Sequence, residues 1–399
     1  MFGSRKGVWR LVAERRAGRQ RKKQSENFFD YSLLFIVLFL LGFGLVMIYS
    51  TSSYESNLHF DDSTYYLRKQ VIATIIGLAA MIAVANIPYH FWERFATLGY
   101  IGSGVLIVLV LVPGIQYSAN GATRWIRIGG FTLQPAEVAK LGMILFLASL
   151  VCRMGKGIRT TKGFFTVLAV PAPICLMIWQ ITNNLSSAII VFGIALLMLF
   201  VASPEYKKFL LLGAGGFAAA ALLVFAIVNA ATSDSLSFRG ERILAWIDPE
   251  AYASGKGFQT LQALYAIGSG GILGKGLGQS MQKLGFLPEA QNDMIFSIIC
   301  EELGLFGAIA IIIMFLLLIW RFMVIANNAP DLFGALLVVG VLGHIAIQVI
   351  LNIAVVTNTI PNTGISLPFI SYGGSSVLFL MIEIGLVLSV AKGIRLKDL

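Results

Sequence analysis

Residues 31–50 read YSLLFIVLFLLGFGLVMIYS, a stretch without a charged side chain. An α-helix needs about 20 apolar residues to cross the roughly 30 Å hydrocarbon layer of a membrane, so this stretch has the length and composition of a membrane span. Further apolar stretches follow it in the chain, near 70–87, 95–113, 136–152, 164–181, 187–202, 209–231, 294–320, 332–355 and 373–391. The sequence therefore predicts an all-α polytopic membrane protein with about ten transmembrane helices.

The composition excludes a soluble globular protein. The 399 residues are 57% hydrophobic and only 13% charged, whereas a soluble domain carries about 25% charged residues. The three cysteines, Cys152, Cys175 and Cys300, lie in or beside apolar stretches. Because their number is odd and their surroundings are apolar, no disulfide framework is predicted.

Basic residues are concentrated at the N-terminus, where residues 1–30 hold nine Lys or Arg side chains and three acids. Such a segment beside a membrane span usually marks the cytoplasmic side, and this interpretation is favoured over nucleic-acid binding. An even number of spans places the C-terminus on the same side. We therefore expect a basic cytoplasmic tail (1–30), a transmembrane domain (31–395) and a cytoplasmic C-terminus (396–399).

The largest polar stretch after the tail is a loop at about 232–292, between spans seven and eight. Two more loops on the same predicted outer side, 114–135 and 356–372, carry prolines, glycines and polar residues, while the inner loops are short. Only the outer side has enough chain outside the membrane to build a site, so we expect function there.

Acidic residues border the eighth predicted span. Glu289, Asp293, Ser297 and Glu301 are spaced four residues apart, so a helix would align them on one face. An acid at the edge of an apolar segment is retained when it is paired or faces a wet cavity. We expect Asp293 to be a carboxylate with a raised pKa that acts as a general base. For Glu301 and Glu302 we expect a structural role, pairing with loop cations.

Two other motifs favour polar or close-packed structure. Glu137 and Lys140 form an i,i+3 pair at a helix start, either as a structural ion pair or as a pair that shapes the cavity around Asp293. The glycine-rich run 266–280 does not match a nucleotide-binding loop, because Ser269 replaces the first glycine that such a loop requires. We expect the run to let backbone approach a substrate or a neighbouring span closely.

Cations in the large loop could neutralise a lipid diphosphate, although each one alone is also consistent with a solvated position. They are Arg239, Arg242, Lys256, Lys275 and Lys283. The histidines are scattered, and no zinc, haem or nucleotide site is predicted. A divalent cation, Mg²⁺ or Mn²⁺, held by carboxylates and a diphosphate stays open.

Five motifs occur along the chain in a family-specific order. They are NGATRWI (120–126), QPAEVAKL (134–141), GFQTLQALYAIGSGG (257–271), LPEAQNDMIFSIICEELG (287–304) and TGISLPFISYGGSS (363–376). Together they resemble the SEDS family, the bacterial shape, elongation, division and sporulation proteins, and the resemblance covers about 30–395.

The resemblance implies a peptidoglycan glycosyltransferase that polymerises lipid II at the outer face of the membrane, by an inverting transfer that releases undecaprenyl diphosphate. It also implies binding of undecaprenyl-diphosphate-linked glycan, a class B penicillin-binding transpeptidase as partner, and other divisome membrane proteins. Ala290 and residues 277–285 are most similar to the division branch, which predicts septal cell wall synthesis. The elongation and sporulation branches stay open as alternatives.

By the same resemblance the catalytic aspartate falls on Asp293, and the family's Glu–Lys pair falls on Glu137 and Lys140. The chain departs from the family at Gln291-Asn292, where many relatives have His-Thr, and at 183–186, where a common Pro-Asp-Leu-Gly is Asn-Asn-Leu-Ser. Further positions assigned to substrate binding or to the cavity are Arg68, Arg124, Arg239, Arg242, Lys275, Glu289 and Ser371.

Two other classes of function compete with polymerisation. A lipid II flippase would also need many spans and buried polar residues, and Glu383 inside the last predicted span is the residue that supports it. A non-catalytic scaffold that uses the basic tail for docking is the third possibility.

Overall fold

The computed structural model describes residues 30–119, 122–128, 131–203, 205–230 and 238–394. The tail and the C-terminal segment predicted at 1–30 and 396–399 therefore fall almost entirely outside the described residues. The described helices are α1 (Tyr31–Phe60), α2 (Tyr65–Asn86), α3 (Tyr89–Glu93), α4 (Ala96–Leu109), α5 (Pro135–Met154), α6 (Thr161–Ala169), α7 (Pro171–Thr182), α8 (Leu185–Ala202), α9 (Tyr206–Ala230), α10 (Phe238–Ile247), α11 (Phe258–Gly270), α12 (Ile295–Asn327), α13 (Leu332–Val356) and α14 (Gly374–Ala391). A 3₁₀ turn, Gly155–Arg159, follows α5.

The helices confirm the predicted membrane spans. In the described part of the chain, nine helical segments are long and apolar enough to cross a membrane, with α6 and α7 counted as one segment. The remaining predicted span corresponds to α4, a shorter apolar helix of 14 residues. The prediction of about ten helical spans is therefore correct.

A small β-sheet in the loop before α5 departs from the all-α prediction. Strands β1 (Gln116–Ala119), β2 (Ala122–Ile128) and β3 (Phe131–Leu133) form an antiparallel sheet in the order β1-β2-β3. Alternate residues of a strand point to opposite faces. Arg124 and Ile126 therefore share a face, and the burial of Ile126 shows that this face packs inward.

The core of the bundle is formed by α5, α8, α13 and α14. Helix α13 packs against α5, α8, α12 and α14, and α14 also packs along α2. The contact of α2 with α14 depends on small residues, because a Cβ atom at Gly77 would lie 2.8 Å from the Met381 side chain and one at Gly385 would lie 2.7 Å from the Met81 carbonyl oxygen. Small residues that let helix backbones approach are typical of helix contacts within membranes.

The loops predicted to carry function meet at one end of the bundle, which we call the loop end. Trp246 of the large loop donates its indole N–H to the Asn358 carbonyl at 3.0 Å, and the Asn358 amide donates to the Trp246 carbonyl at 3.2 Å. Arg124 of the sheet donates to the carbonyl oxygens of Thr182 and Asn183, between α7 and α8. The loop end therefore holds residues from four separate parts of the sequence.

Candidate functional site

Asp293 lies in a turn just before α12, not on a helical face. Helix α12 begins at Ile295, and Glu289 has a φ of 58°, which interrupts any helix through 289–293. The Asn292 and Met294 N–H groups both donate to the Glu289 carbonyl and close the turn. The predicted alignment of Glu289 and Asp293 with the acids of the helix is thus wrong, because this turn chemistry overrides the four-residue spacing.

The Asp293 carboxyl lies beside a glycine. Its Oδ1 atom is buried and has no hydrogen-bond partner among the described residues. Gly364 has a φ of 68°, and a Cβ atom built there would lie 3.6 Å from Asp293 Oδ2. A left-handed backbone conformation favours glycine. The absence of a side chain at this position leaves room next to the carboxyl.

Burial, together with the smaller effect of the nearby Glu289 carboxylate, raises the pKa of Asp293 to about 7. The Arg242 guanidinium acts in the opposite direction and lowers the pKa of Asp293. A carboxyl that titrates near neutral pH is suited to accept a proton from a hydroxyl. The predicted direction of the Asp293 pKa is confirmed.

Arg242 lies near this carboxyl, and a second arginine, Arg124, lies near Arg242. Arg242 on α10 donates to the Asn362 carbonyl at 3.3 Å. Arg124 on β2 lies close enough to Arg242 that burial and the Arg242 charge together lower the pKa of Arg124. An arginine side chain stays protonated in proteins and carries several N–H donors in a fixed fork. The pair is therefore able to bind an anion such as a diphosphate.

A cavity of about 240 Å³ opens beside Arg242. Polar and charged side chains form much of its lining, including those of Arg242, Lys256, Gln259, Thr260 and Asn362. The Asn362 amide donates to Gln259 Oε1 at 2.8 Å, so α11 and the loop before α14 are joined at this cavity.

Ser371 braces the turn that carries Asp293. Its hydroxyl donates to the Asn292 carbonyl at 2.6 Å and accepts the Leu367 N–H at 2.8 Å. Next to it, the Tyr372 N–H donates to the Gln291 carbonyl at 2.9 Å. The structure thus places Ser371 beside the site, with its hydroxyl engaged by the protein.

Other predicted site residues are engaged elsewhere. Lys275 pairs with Glu301 and Lys283 pairs with Glu302, each at 2.7 Å, which confirms the structural role predicted for the two acids. Arg68 pairs with Asp62 at the exposed start of α2. Helix α10 also contains Arg239, whose side chain lies outside the described residues.

The glycine-rich run packs against α12. A Cβ atom at Gly270 would lie 2.0 Å from the Cys300 carbonyl oxygen, and one at Gly274 would lie 2.3 Å from the Glu302 carbonyl oxygen. A real Cβ atom could not lie this close to a carbonyl oxygen, so only glycine fits at these two positions. Of the two expectations for this run, the structure supports close approach to a neighbouring span.

Glu137 and Lys140 form a buried ion pair at the start of α5, with 2.7 Å between Oε1 and Nζ. The Lys140 ammonium also donates to Gln348 Oε1 on α13 at 3.3 Å. The Gln348 amide in turn donates to the Ser366 carbonyl at 3.0 Å. The pair is therefore structural and is also joined to the loop that carries Gly364.

The departure from the family pattern at 183–186 has a structural use. Asn183 adopts a left-handed conformation that ends α7, with a φ of 49°. Asn184 is the N-cap of α8, and its side-chain oxygen accepts the Ser187 N–H at 3.0 Å. Asparagine is favoured at both kinds of position.

The expected divalent cation finds few ligands. Within the described parts of the chain, no group of three or more His, Cys, Asp or Glu side chains could hold a metal ion. Asp293 and Glu289 form only a pair of carboxylates, so these residues do not by themselves fit a complete site. The cation stays a prediction, and no step is derived through it.

Comparisons with known proteins identify the family of this chain. The sequence profile of a family described as cell cycle protein, which covers FtsW, RodA and SpoVE, matches residues 31–395. The chain is 40% identical to the stage V sporulation protein E of Bacillus subtilis over 91% of this chain and 97% of that protein. It is 38% identical to a probable peptidoglycan glycosyltransferase FtsW of Trichlorobacter lovleyi over 93% and 95% of the two chains.

Two solved structures have the same fold. A chain in a peptidoglycan synthase complex that coordinates polymerization and crosslinking superimposes with a TM-score of 0.74 at 26% identity, and the match covers 92% of this chain and 98% of that one. The rod shape determining protein RodA of Thermus thermophilus superimposes with a TM-score of 0.63 at 25% identity, over 91% and 96% of the two chains. The profile match, the identity to relatives along nearly the whole chain and the shared fold show that this protein belongs to the FtsW, RodA and SpoVE family of cell cycle proteins.

Proposed function

We propose that this protein is a peptidoglycan glycosyltransferase that polymerises lipid II, with Asp293 as its general base. The observation that carries the proposal is the Asp293 carboxyl, whose pKa is raised to about 7 at the loop end, next to Gly364 and near Arg242. Relatives named peptidoglycan glycosyltransferase FtsW support the reaction.

The proposed step joins two lipid-linked sugars. The 4-hydroxyl oxygen of an N-acetylglucosamine attacks C1 of an N-acetylmuramic acid, and the bond from C1 to the diphosphate oxygen breaks as the new glycosidic bond forms. Asp293 takes the hydroxyl proton, and undecaprenyl diphosphate leaves with the electron pair of the broken bond. Attack from the face opposite the leaving group inverts C1. A positioned base contributes about 10²–10⁴-fold to such a step.

The leaving diphosphate requires charge compensation, which Arg124 and Arg242 are placed to give. They reach the loop end from β2 and α10, and both are partly buried. In a partly buried site a fixed cation stabilises developing negative charge more strongly than it would in water. No general acid is needed, because a charge-compensated diphosphate is a stable leaving group.

The membrane charges favour polymerisation over transport. Glu383, the residue that supported a flippase, is buried and lies 2.7 Å from His344 Nδ1. Lys140 is paired with Glu137 inside the bundle. A transporter needs polar groups along a path that reaches both faces. Here the charged groups are engaged with one another, so they serve internal packing.

Relatives named FtsW favour the division branch, while the sporulation relative of Bacillus subtilis keeps that branch as the second candidate. The solved peptidoglycan synthase complex supports a class B penicillin-binding transpeptidase as partner. The proposal also places both termini on the cytoplasmic side and the loop end outside the cytoplasm. It further includes a location at the division septum and contacts with other divisome membrane proteins.

The test uses the purified protein in complex with its cognate transpeptidase and labelled lipid II. Glycan strands longer than the substrate are expected in a gel assay. A parallel assay in liposomes measures lipid II translocation by the same preparation. Translocation without any strand formation would contradict the proposal and support the flippase. Absence of both activities in a folded complex would support the scaffold.

A further inference from the structure

Helix α13 carries a row of buried polar side chains that the reaction above does not use. His344, Gln348 and Asn352 are spaced four residues apart, so they lie on one helix face. All three are almost completely buried. A buried polar group in a membrane bundle is retained when its hydrogen bonds are satisfied and it has a role. We call these three residues the polar row.

Asn352, the last residue of the row, holds the backbone of Asp293. The Asn352 amide nitrogen donates to the Asp293 carbonyl at 2.8 Å and to the Ile365 carbonyl at 2.7 Å. A side-chain amide has two N–H donors, and both are used. Its Oδ1 atom has no partner among the described residues, so Asn352 acts here only as a donor.

Gln348 and His344 connect the row to other helices of the bundle. Gln348 Oε1 accepts from Lys140 Nζ at 3.3 Å and lies 2.9 Å from His344 Nε2. His344 Nδ1 lies 2.7 Å from Glu383 Oε2. Gln348 Oε1 is an acceptor, so the His344 Nε2 atom that faces it is a donor. Hydrogen bonds thus run from α14 through His344 to Gln348, whose amide donates to the Ser366 carbonyl, next to the Ile365 carbonyl that Asn352 holds.

This arrangement matters because Asp293 is not held by a regular helix. Its backbone lies in a turn outside α12, and its Oδ1 atom has no hydrogen-bond partner among the described residues. The position of the carboxyl therefore depends on the contacts that hold this turn, which come from Ser371, Tyr372 and Asn352. A misplacement of about 1 Å at a reacting group reduces the rate about 10²-fold.

We propose that Asn352 is a positioning residue that fixes the Asp293 carboxyl and the loop 363–371 in one arrangement. Gln348 contributes by holding the Ser366 carbonyl of the same loop, and His344 contacts Gln348. The proposal rests on the proposed function of Asp293. It adds that Asp293 is held in position by the Asn352 side chain of helix α13, which lies outside the acidic motif 287–304.

The test compares Asn352→Leu, which has no donor, with Asn352→Asp, which has the same shape and keeps at most one donor. Asn328→Leu is the matched control, because among the described residues the Asn328 amide donates only to the Val324 carbonyl of the helix that it caps. We expect Asn352→Leu to reduce kcat for strand formation about 10–100-fold with KM for lipid II unchanged, and Asn352→Asp to reduce it less. The control is expected to keep the wild-type kcat.

A second readout separates positioning from mere stability. Release of the anchor lets water reach the Asp293 carboxyl, whose charged neighbours are Glu289 and Arg242, so the acid limb of the pH–rate profile moves to lower pH in Asn352→Leu. Asn352→Asp adds a carboxyl near Asp293 that acts on the pKa of Asp293 in the opposite direction, so kcat alone is the criterion for that variant. A folded Asn352→Leu protein with wild-type kcat and pH profile, or a folded Asn352→Asp protein with wild-type kcat, would overturn the inference. If Asn352→Leu does not fold, the kcat of Asn352→Asp decides. Inactivity of the wild-type complex would instead refute the proposed function.

Discussion

The Asp293 carboxyl gives polymerisation a predicted acid limb near neutral pH. With a pKa of about 7, about one tenth of the carboxyl is ionised at pH 6 and about nine tenths at pH 8, since each pH unit changes the ratio tenfold. An aspartate with the ordinary pKa of 3.8 would be fully ionised at both values. A general base acts only when ionised, so the rate should rise about tenfold from pH 6 to the plateau.

Replacing Glu289 tests the cause of this pKa. The Glu289 carboxylate raises the pKa of Asp293, but burial is the larger cause. Glu289→Gln removes the negative charge and leaves the burial, so the pKa of Asp293 falls and yet stays above its ordinary value. The rate at pH 6 should therefore increase relative to the rate at pH 8, by at most about tenfold.

The assay measures kcat/KM for labelled lipid II between about pH 5.5 and 8.5. This range covers roughly one to two pH units on each side of the Asp293 pKa, so it includes both the acid limb and the plateau. Glu205→Gln is the matched control, because Glu205 pairs with Lys208 far along the chain, just before α9. Its profile should equal that of the wild type. A rate that does not change between pH 6 and pH 8, or a profile that Glu289→Gln leaves unmoved, would refute the assignment of Asp293 as the titrating base.

Three further changes test other parts of the structure. Gly270→Ala places a Cβ atom 2.0 Å from a carbonyl oxygen of α12 and should lower the melting temperature, whereas Gly268→Ala on the same helix meets nothing within 4 Å and should be neutral or stabilising by about 1 kcal/mol. Gly364→Ala puts a methyl group 3.6 Å from the catalytic carboxyl at a φ of 68°, and we expect a loss of kcat with a stability cost of about 1–2 kcal/mol. Glu137→Gln or Lys140→Gln alone should destabilise by about 3–5 kcal/mol, and the double variant by less than the sum. Equal melting temperatures for Gly270→Ala and Gly268→Ala would contradict the contact of Gly270 with α12. Wild-type kcat in Gly364→Ala would contradict the contact of Gly364 with Asp293. Additive effects of the two single variants in the double variant would contradict the ion pair of Glu137 and Lys140.

The spans could be predicted from the sequence because hydropathy alone determines which helices enter a membrane. The sheet before α5 could not, since its strands are short and the alternation of Arg124 and Ile126 with their neighbours extends over few residues. The ion pairs of Glu301 and Glu302 followed from the cost of burying an unpaired acid, although the particular partners, Lys275 and Lys283, depend on the fold of the loop.

Asp293 was predicted from its place at the edge of a span, but its geometry was not. The turn at Glu289 replaces a helix by local hydrogen bonds that the residue spacing does not reveal. Asn352 was missed for a different reason. A single polar residue in an apolar helix has no pattern of its own, and only the spacing of His344, Gln348 and Asn352 could have indicated a shared face.

Strand formation from labelled lipid II at pH 8 by the Asp293→Asn complex shows whether Asp293 is the base of a glycosyltransferase. We expect a rate reduced about 10²–10⁴-fold, while Asp248→Asn, in the large loop, keeps the wild-type rate. The melting temperature of Asp293→Asn should equal or exceed that of the wild type: a carboxyl whose pKa is raised on folding stabilises the fold below its unfolded pKa and loses that contribution as the pH rises through about 7. Wild-type strand formation by Asp293→Asn would contradict the account.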